Sequence, residues 1–390
     1  MTPALTLLFT VAVGVIFANV TASQTLTGVI GPSVGLSEAA AGLTSMAPLL
    51  GYAAGLFLAV PLADLVENRR LILQMLTCAV LAALGTALAP GAATLLAALF
   101  VLGAACSAVQ VLVPMAAAMT PPERRGRVIG DVMSGVMVGI LLSRPLASLT
   151  TDLLGWRAFY GISGILMAIL TLTLALRLVE RRPARSVSYP ALIGSFGDLL
   201  RTEPALRRFA LNATLAMLSF TLYWTSIALL LVAPPFGLGQ SGIALFALVG
   251  AGAAVMAPLA GRAGDRGWTR PAMVVFHILT VAAFALAAWA GAAQSAPVLH
   301  LVLLGASAVL LDVGVVGDQT LGRRAINLLQ PEARGRINAL FVALFFIGGS
   351  IGSATAGLVW AFGGWTMVCV IGGAIGFVLL LLDYLAPPVV

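Results

Sequence analysis

Long apolar stretches, separated by short polar breaks, run the length of the chain. They lie at about 4–28, 39–63, 70–90, 93–119, 127–152 and 157–178, then at about 207–233, 240–262, 271–292, 297–322, 335–361 and 365–386. Each meets or exceeds the roughly 20 residues that a helix needs to cross a bilayer. The pattern therefore predicts an all-α membrane protein of twelve spanning helices, the longer ones tilted or extended past the hydrocarbon. An even count puts both ends on one side. The only long polar stretch, 179–206, divides the chain into an N-terminal six-helix bundle (1–178), a linker with a short surface helix, and a C-terminal six-helix bundle (207–390). The apolar N-terminus lacks a basic leading region and has a counterpart later in the chain, so it reads as a retained first span rather than a cleaved leader.

Composition narrows the class. Of 390 residues, 61% are hydrophobic and 9% charged, too few charges to cover a water-soluble enzyme and too much apolar surface for disorder. Twelve crossings of about 20 residues account for about 240 residues, close to that apolar share.

The net charge of +7 is not a nucleic-acid footprint. All 21 basic residues are arginine, and 19 of them fall in alternate loops: Arg69 and Arg70; Arg124, Arg125 and Arg127; Arg177, Arg181, Arg182, Arg185, Arg201, Arg207 and Arg208; Arg262, Arg266 and Arg270; Arg323, Arg324, Arg334 and Arg336. Positive residues collect in cytoplasmic loops, so both termini are expected in the cytoplasm and the protein in the cytoplasmic (inner) membrane. Cys78, Cys106 and Cys369 sit in apolar runs with no metal-type spacing, and His277 and His300 are far apart. No metal and no cofactor are expected, and His277 reads as structural.

The two halves repeat one another. PPERRGRVIG after the fourth stretch is answered by QPEARGRINA after the tenth, with Pro122 and Pro331 separated by 209 residues. Trp156 and Trp365 keep the same separation, as do Gly139 and Gly348, and Gln110 and Gln319. Asp64 and Asp265 are 201 apart, which places a small insertion between the copies. Two like-oriented bundles related along the membrane normal imply a cavity between them at mid-membrane, opened to each side in turn by rocking.

This repeat, its Gly-Trp pairs and its loop aspartates resemble the major facilitator superfamily over essentially the whole chain, and within it the twelve-span drug or sugar efflux branch, usually proton antiporters. One carrier of the resemblance is the loop signature G-x-x-x-D-R-x-x-R/K, met by Gly261, Asp265, Arg266 and Arg270 and more loosely by Asp64, Arg69 and Arg70, with Val60 and Leu65 replacing the glycine and first arginine. In the family this element latches the halves on the cytoplasmic side; an ordinary positive-inside loop is the plainer reading. A second is the antiporter glycine–proline motif, kept in part as Gly135, Gly139 and Pro145, with Ala147 and Ser148 near the later glycine positions. The third is ANVTASQT, in which Asn19 and Gln24 match N-x-Y-Y-x-Q-P while Thr21, Ala22 and Thr25 replace its aromatic pair and proline.

Ionisable residues at depth are costly in a membrane and mark function by default. Arg144 lies 17 residues past Arg127, about 25 Å into the fifth stretch. It contacts an anionic or zwitterionic solute, partners a titrating acid, forms a structural ion pair, or snorkels toward the periplasmic surface. Asp312 and Asp318 share the tenth stretch, six residues apart, about 120° around a helix. Desolvation favours the neutral form of a carboxyl, as a proton carrier requires. Asp312 is the deeper and better candidate, and Asp318 belongs either there or to a gate with Arg323 or Arg324; a satisfied buried acid is the alternative for each. By the family's plan the first, fourth, seventh and tenth helices line the cavity, so the resemblance adds Asn19, Gln24, Gln110, Trp224, Thr225 and Gln319 as substrate contacts, with ordinary packing the alternative for each.

The expectation is a secondary transporter that exports a small organic solute against proton entry, acting as a monomer in the lipid bilayer. A uniporter or importer on the same scaffold is the alternative, since fold does not fix direction. An intramembrane enzyme lacks its motifs: no HExxH and no GxxxxGK[ST] occur.

Overall fold

The computed structural model describes residues 2–183, 188–292, 297–330 and 333–385. Arg185 of the linker and Pro331 of the second repeat lie outside them. Among the described residues there are helices and no strand, and ten of the helices are long and apolar enough to cross a membrane.

In the first half these are α1 (Pro3–Thr25), α2 (Glu38–Asp64), α3 (Asn68–Ala87), α4 (Ala92–Ala118), α5 (Pro122–Leu154) and α6 (Trp156–Arg177). The second half begins with α7 (Pro204–Val232), followed after residues 240–265 by Thr269–Gly291 and Pro297–Ile326. The last helix, Arg334–Leu385, is 52 residues long but bends at Gly363 and Gly364. Gly364 has φ +59°, a left-handed conformation that a Cβ would strain. We name residues 240–265 α8, the two helices after it α9 and α10, and the limbs 334–362 and 365–385 α11 and α12.

The eighth stretch departs from a continuous helix. Gln240–Ala247 gives way to a 3-10 segment, Leu248–Val255, before Met256–Asp265 resumes. Gly250 and Gly252 weaken the α-helix there. Tighter 3-10 turns also interrupt α1 at Ala22–Thr25, and α4 breaks between Cys106 and Val109. Gln24 and Gln110 lie at those two interruptions. Such mid-helix irregularities are common where a helix serves a site.

Leucines on the outer faces, such as Leu81, Leu153 and Leu176, are exposed while many serines and threonines are buried. That inversion suits lipid as the solvent. The buried hydroxyls tie neighbouring helices: Thr21 and Ser143 are 2.7 Å apart, and Ser148 donates to Thr25 at 3.1 Å, joining α1 to α5. The repeat is visible in this packing. A Cβ on Gly139 of α5 would stand 2.4 Å from the Gly14 carbonyl of α1, and one on Gly348 of α11 2.0 Å from the Thr214 carbonyl of α7. Small residues let the paired backbones touch.

The halves meet on the face opposite the arginine loops. A Cβ on Gly42 of α2 would fall 1.9 Å from the Ser353 carbonyl of α11, and Ser241 of α8 hydrogen-bonds Asp152 of α5. Deeper in, the Tyr52 and Phe346 rings pack at 4.6 Å. Toward the arginine face, residues 121–127 and 265–268 at the ends of α5 and α8 are exposed. Between the halves the linker forms a helix, Tyr189–Thr202, whose Leu192, Phe196 and Leu199 are buried. It docks on the end of α2, where Phe196 meets Phe57 at 5.6 Å and Tyr189 donates to the Leu58 carbonyl at 2.9 Å.

Candidate functional site

One interrupted helix and three continuous ones deliver four side chains to one point. Gln24 comes from the 3-10 turn of α1, Arg144 from α5, Trp224 from α7 and Asp312 from the middle of α10. Gln24 Oε1 accepts from Arg144 Nε at 3.1 Å and from Nη2 at 2.9 Å. The guanidinium carbon then stands 4.2 Å from the Trp224 ring centroid and 5.3 Å from that of Phe220. On the indole's edge, Trp224 Nε1 donates to Asp312 Oδ1 at 2.8 Å.

Trp224 is thus a spacer between a cation held by the first half and an anion held by the second. Arg144 and Asp312 are each 5% exposed, Gln24 0% and Trp224 1%. Gly250 of the α8 3-10 segment makes room for the carboxylate, since a Cβ there would lie 2.6 Å from Asp312 Oδ2. Gln24 Nε2 is buried without a hydrogen-bond partner, and an unmet buried donor costs about 1–3 kcal/mol. The site therefore offers a solute an aromatic face, two charges of opposite sign and a free amide donor.

Other expected contacts are placed differently. Asn19 is turned into its own half: Ser163 of α6 donates to its Oδ1 at 2.9 Å, and its Nδ2 donates to the Val15 carbonyl. Gln110 donates to the Tyr52 hydroxyl at 3.0 Å, beside the aromatic contact between the halves. Thr225 faces Ser353 of α11 at 3.4 Å. Gln319 is partly buried on α10.

A second buried cluster was only partly foreseen. His277 has buried acidic partners on two other helices: its Nε2 is 3.1 Å from Asp318 Oδ1 of α10 and its Nδ1 2.7 Å from Asp383 Oδ2 of α12. Asp383 Oδ1 also accepts from Asn212 at 3.2 Å and from Arg208 at 3.4 Å, both on α7. All three titratable side chains are 1% exposed or less. Asp318 is therefore not paired with Arg323 or Arg324. Sequence reading passed over Asp383 because it stands two residues from the end of its helix, where an acid reads as a loop charge.

At the arginine face the loop pairs stay within each half. Arg324 of α10 meets Asp265 at 3.0 Å, while Arg266 lies 5.9 Å from the Trp268 ring and Arg270 donates to the Asp383 carbonyl at 3.4 Å. Gly261 is partly buried beside them. In the first half Arg69 donates to the Ala175 carbonyl at 2.7 Å. Asp64 is exposed, and the organising acid is Glu67, which caps α3 by accepting from the Arg69 and Arg70 amides at 2.7 and 2.8 Å and reaches the Arg181 amide at 3.1 Å. Desolvation opposes ionisation of Glu67, but the backbone bonds from Arg70, Arg181 and Arg69 outweigh it and hold its carboxyl below the ordinary range. The expected latch between halves is not formed by these residues in this arrangement.

Comparison with known proteins agrees with this architecture. Residues 6–317 match the model of the Major Facilitator Superfamily. The chain is 36% identical over 381 residues to the "uncharacterized transporter YgaY" of Escherichia coli, covering 98% of this chain and 95% of that one. It is 32% identical over 360 residues to the "probable transporter SCO4007" of Streptomyces coelicolor, covering 92% and 81%. Among solved structures, the nucleoside transporter NupG superposes with a TM-score of 0.77 at 16% identity over 97% of this chain and 99% of that one. A bacterial homologue of the human lysosomal transporter Spinster, inward-facing and occupied, gives 0.75 at 16% over 99% and 97%. At such identity the structures speak for the fold alone, but the family match and the curated relatives carry the conclusion: the chain belongs to the Major Facilitator Superfamily and is a multi-pass membrane transporter of small solutes, not an enzyme.

Proposed function

We propose that the protein is a twelve-span secondary transporter that exports a small organic solute in exchange for protons, by alternating access between bundles 1–178 and 207–390. The observation that carries this reading is the Gln24–Arg144–Trp224–Asp312 constellation. A cation and an anion from opposite halves meet over one indole, part-way along their helices. A solute that displaces either charge from Trp224 changes what holds the halves together. The count of twelve is supported if the two limbs of the bent helix Arg334–Leu385 are taken as separate crossings and the broken helix at 240–265 as another.

The arginine bias supports cytoplasmic termini and an inner-membrane location. With that orientation the contacts of Gly42 and Asp152 close the outer side, and the chamber is poised to open inward. The charge pair favours an anionic or zwitterionic solute, and Asp312 is the acid placed to exchange a proton as solute binds. The chain acts as a monomer, since the site is complete within one copy.

The test is solute flux in proteoliposomes with an imposed pH gradient, using radiolabelled monosaccharides and amino acids and the dye ethidium. A substrate should move uphill in wild type and lose its dependence on the gradient in Asp312→Asn. Flux indifferent to the gradient in both proteins would remove proton exchange. Unchanged affinity for every substrate in Arg144→Gln would remove the charge argument.

A further inference from the structure

The His277 cluster lies outside the solute site and belongs wholly to the second half. Its two N···O bridges, 2.7 and 3.1 Å long, fix how many protons it holds. Each bridge needs one hydrogen, on the imidazole or on a carboxyl. An imidazolium between two carboxylates satisfies both, and with Arg208 beside Asp383 the four groups then sum to zero charge. Placing one of the protons on a carboxyl instead leaves both the proton count and the charge unchanged.

Removing one proton, to water entering from the arginine face, upsets this balance. A neutral imidazole then faces two carboxylates, one bridge opposes lone pair to lone pair, and the cluster is left with a net charge of −1 in apolar surroundings. An uncompensated buried charge is costly, and at such distances it is relieved by separating the helices that bear it. Of the remaining charged groups nearby, Arg270 of α9 keeps its charge while bound to the Asp383 carbonyl but is exposed, so solvent screens it; Asp265 of α8 is held by Arg324, and Arg262 and Arg266 are exposed.

We propose that His277, Asp318 and Asp383 form a proton-binding site, distinct from the solute site, whose loss of one proton parts α10 from α9 or α9 from α12. Six residues up α10, about 9 Å along its axis, is Asp312. A shift of α10 therefore reaches the Trp224–Asp312 bond and couples the proton to the solute site. The inference rests on reading the chain as a proton-coupled carrier.

The chain has two histidines, so His300→Gln leaves His277 as the sole imidazole for nitrogen-15 NMR in nanodiscs. Between about pH 5 and pH 9, a range that spans histidine titration, both ring nitrogens should carry hydrogen at the acidic end. One should lose it in a single step, with a midpoint moved by Asp318→Asn and by Asp383→Asn. Spin labels at Leu153 and Leu245, with the three native cysteines changed to alanine, report the state of the sealed face. One linked proton changes the ratio of states by up to about tenfold per pH unit. The response should be flat, within about twofold, in His277→Gln and in the isosteric Asp318→Asn.

A His277 that keeps one protonation state throughout, or a full pH response in folded His277→Gln or Asp318→Asn, overturns the proposal. Gradient-driven export that survives His277→Gln would also remove this site while leaving the exporter intact. Wild-type flux indifferent to the gradient removes proton coupling altogether.

Discussion

Arg144 is bound by neutral partners, Gln24 and the faces of Trp224 and Phe220, and its nearest opposite charge sits across an indole. Lysine keeps the charge but not the planar fork that Gln24 and the ring require. Arg144→Lys should therefore lower solute affinity nearly as far as Arg144→Gln, by about tenfold or more, read by thermal-shift titration with a transported solute. Recovery of wild-type affinity in Arg144→Lys would mean that only charge matters. Trp224→Phe keeps the ring face and removes the donor to Asp312; loss of that charge-assisted bond should cost about 1.5–3 kcal/mol, seen as a lower Tm.

At this scale the sequence was legible where a charge stood far from any loop. Arg144, Asp312 and Gln24 were identified on depth and motif, and they do converge. Asn19 was assigned to the cavity by analogy of position, but nothing in one helix's sequence reveals that its amide turns toward Ser163. The link from His277 to Asp383 spans 106 residues and joins an expected bystander to an acid at a chain end, so no local pattern pointed to it.

Among the elements, close backbone approach decides which helices can slide and which cannot. Gly348 sits against α7 inside its own half, so Gly348→Val should destabilise that half outright, by about 3 kcal/mol or more, since the clash is with backbone. Gly42 instead contacts α11 across the halves. Gly42→Val should leave the halves folded but unable to seal the face opposite the arginines. Thiol labelling of that face should then rise, with little change in Tm, and an equal Tm loss in both variants would contradict the distinction.

Glu67 governs the start of α3. Its carboxyl is held below the ordinary glutamate range, so the folded state gains from the ionised form above the unfolded value near pH 4.3. That gain is lost as pH falls through the lower folded value. Glu67→Ala should cost about 1 kcal/mol at neutral pH, as removal of a helix cap does, and the difference from wild type should vanish in acid melts. The long helices were legible from apolar runs, and the linker from the polar break at 179–206. The 3-10 break in α8 was not, because its glycines sit in an otherwise unbroken apolar run and answer to Asp312 on another helix.

For the whole molecule, the duplicated order of motifs predicted two similar halves, and equivalent glycines do make equivalent backbone contacts in each. The expected latch residues pair within a half in this arrangement, in which the arginine-face ends of α5 and α8 are exposed while the opposite face is joined. A single arrangement of a rocking molecule displays one closed face, and sequence has no means to say which.

The central claim is that the space around Arg144 and Trp224 is reached from each side of the membrane in turn. Phe220, partly buried beside Arg144, offers the most direct check. In a background lacking the three native cysteines, Phe220→Cys is exposed to a membrane-impermeant maleimide in vesicles of either orientation. The account predicts labelling from both sides, each slowed when a transported solute is present. Labelling from one side alone, at a rate indifferent to solute, would contradict it.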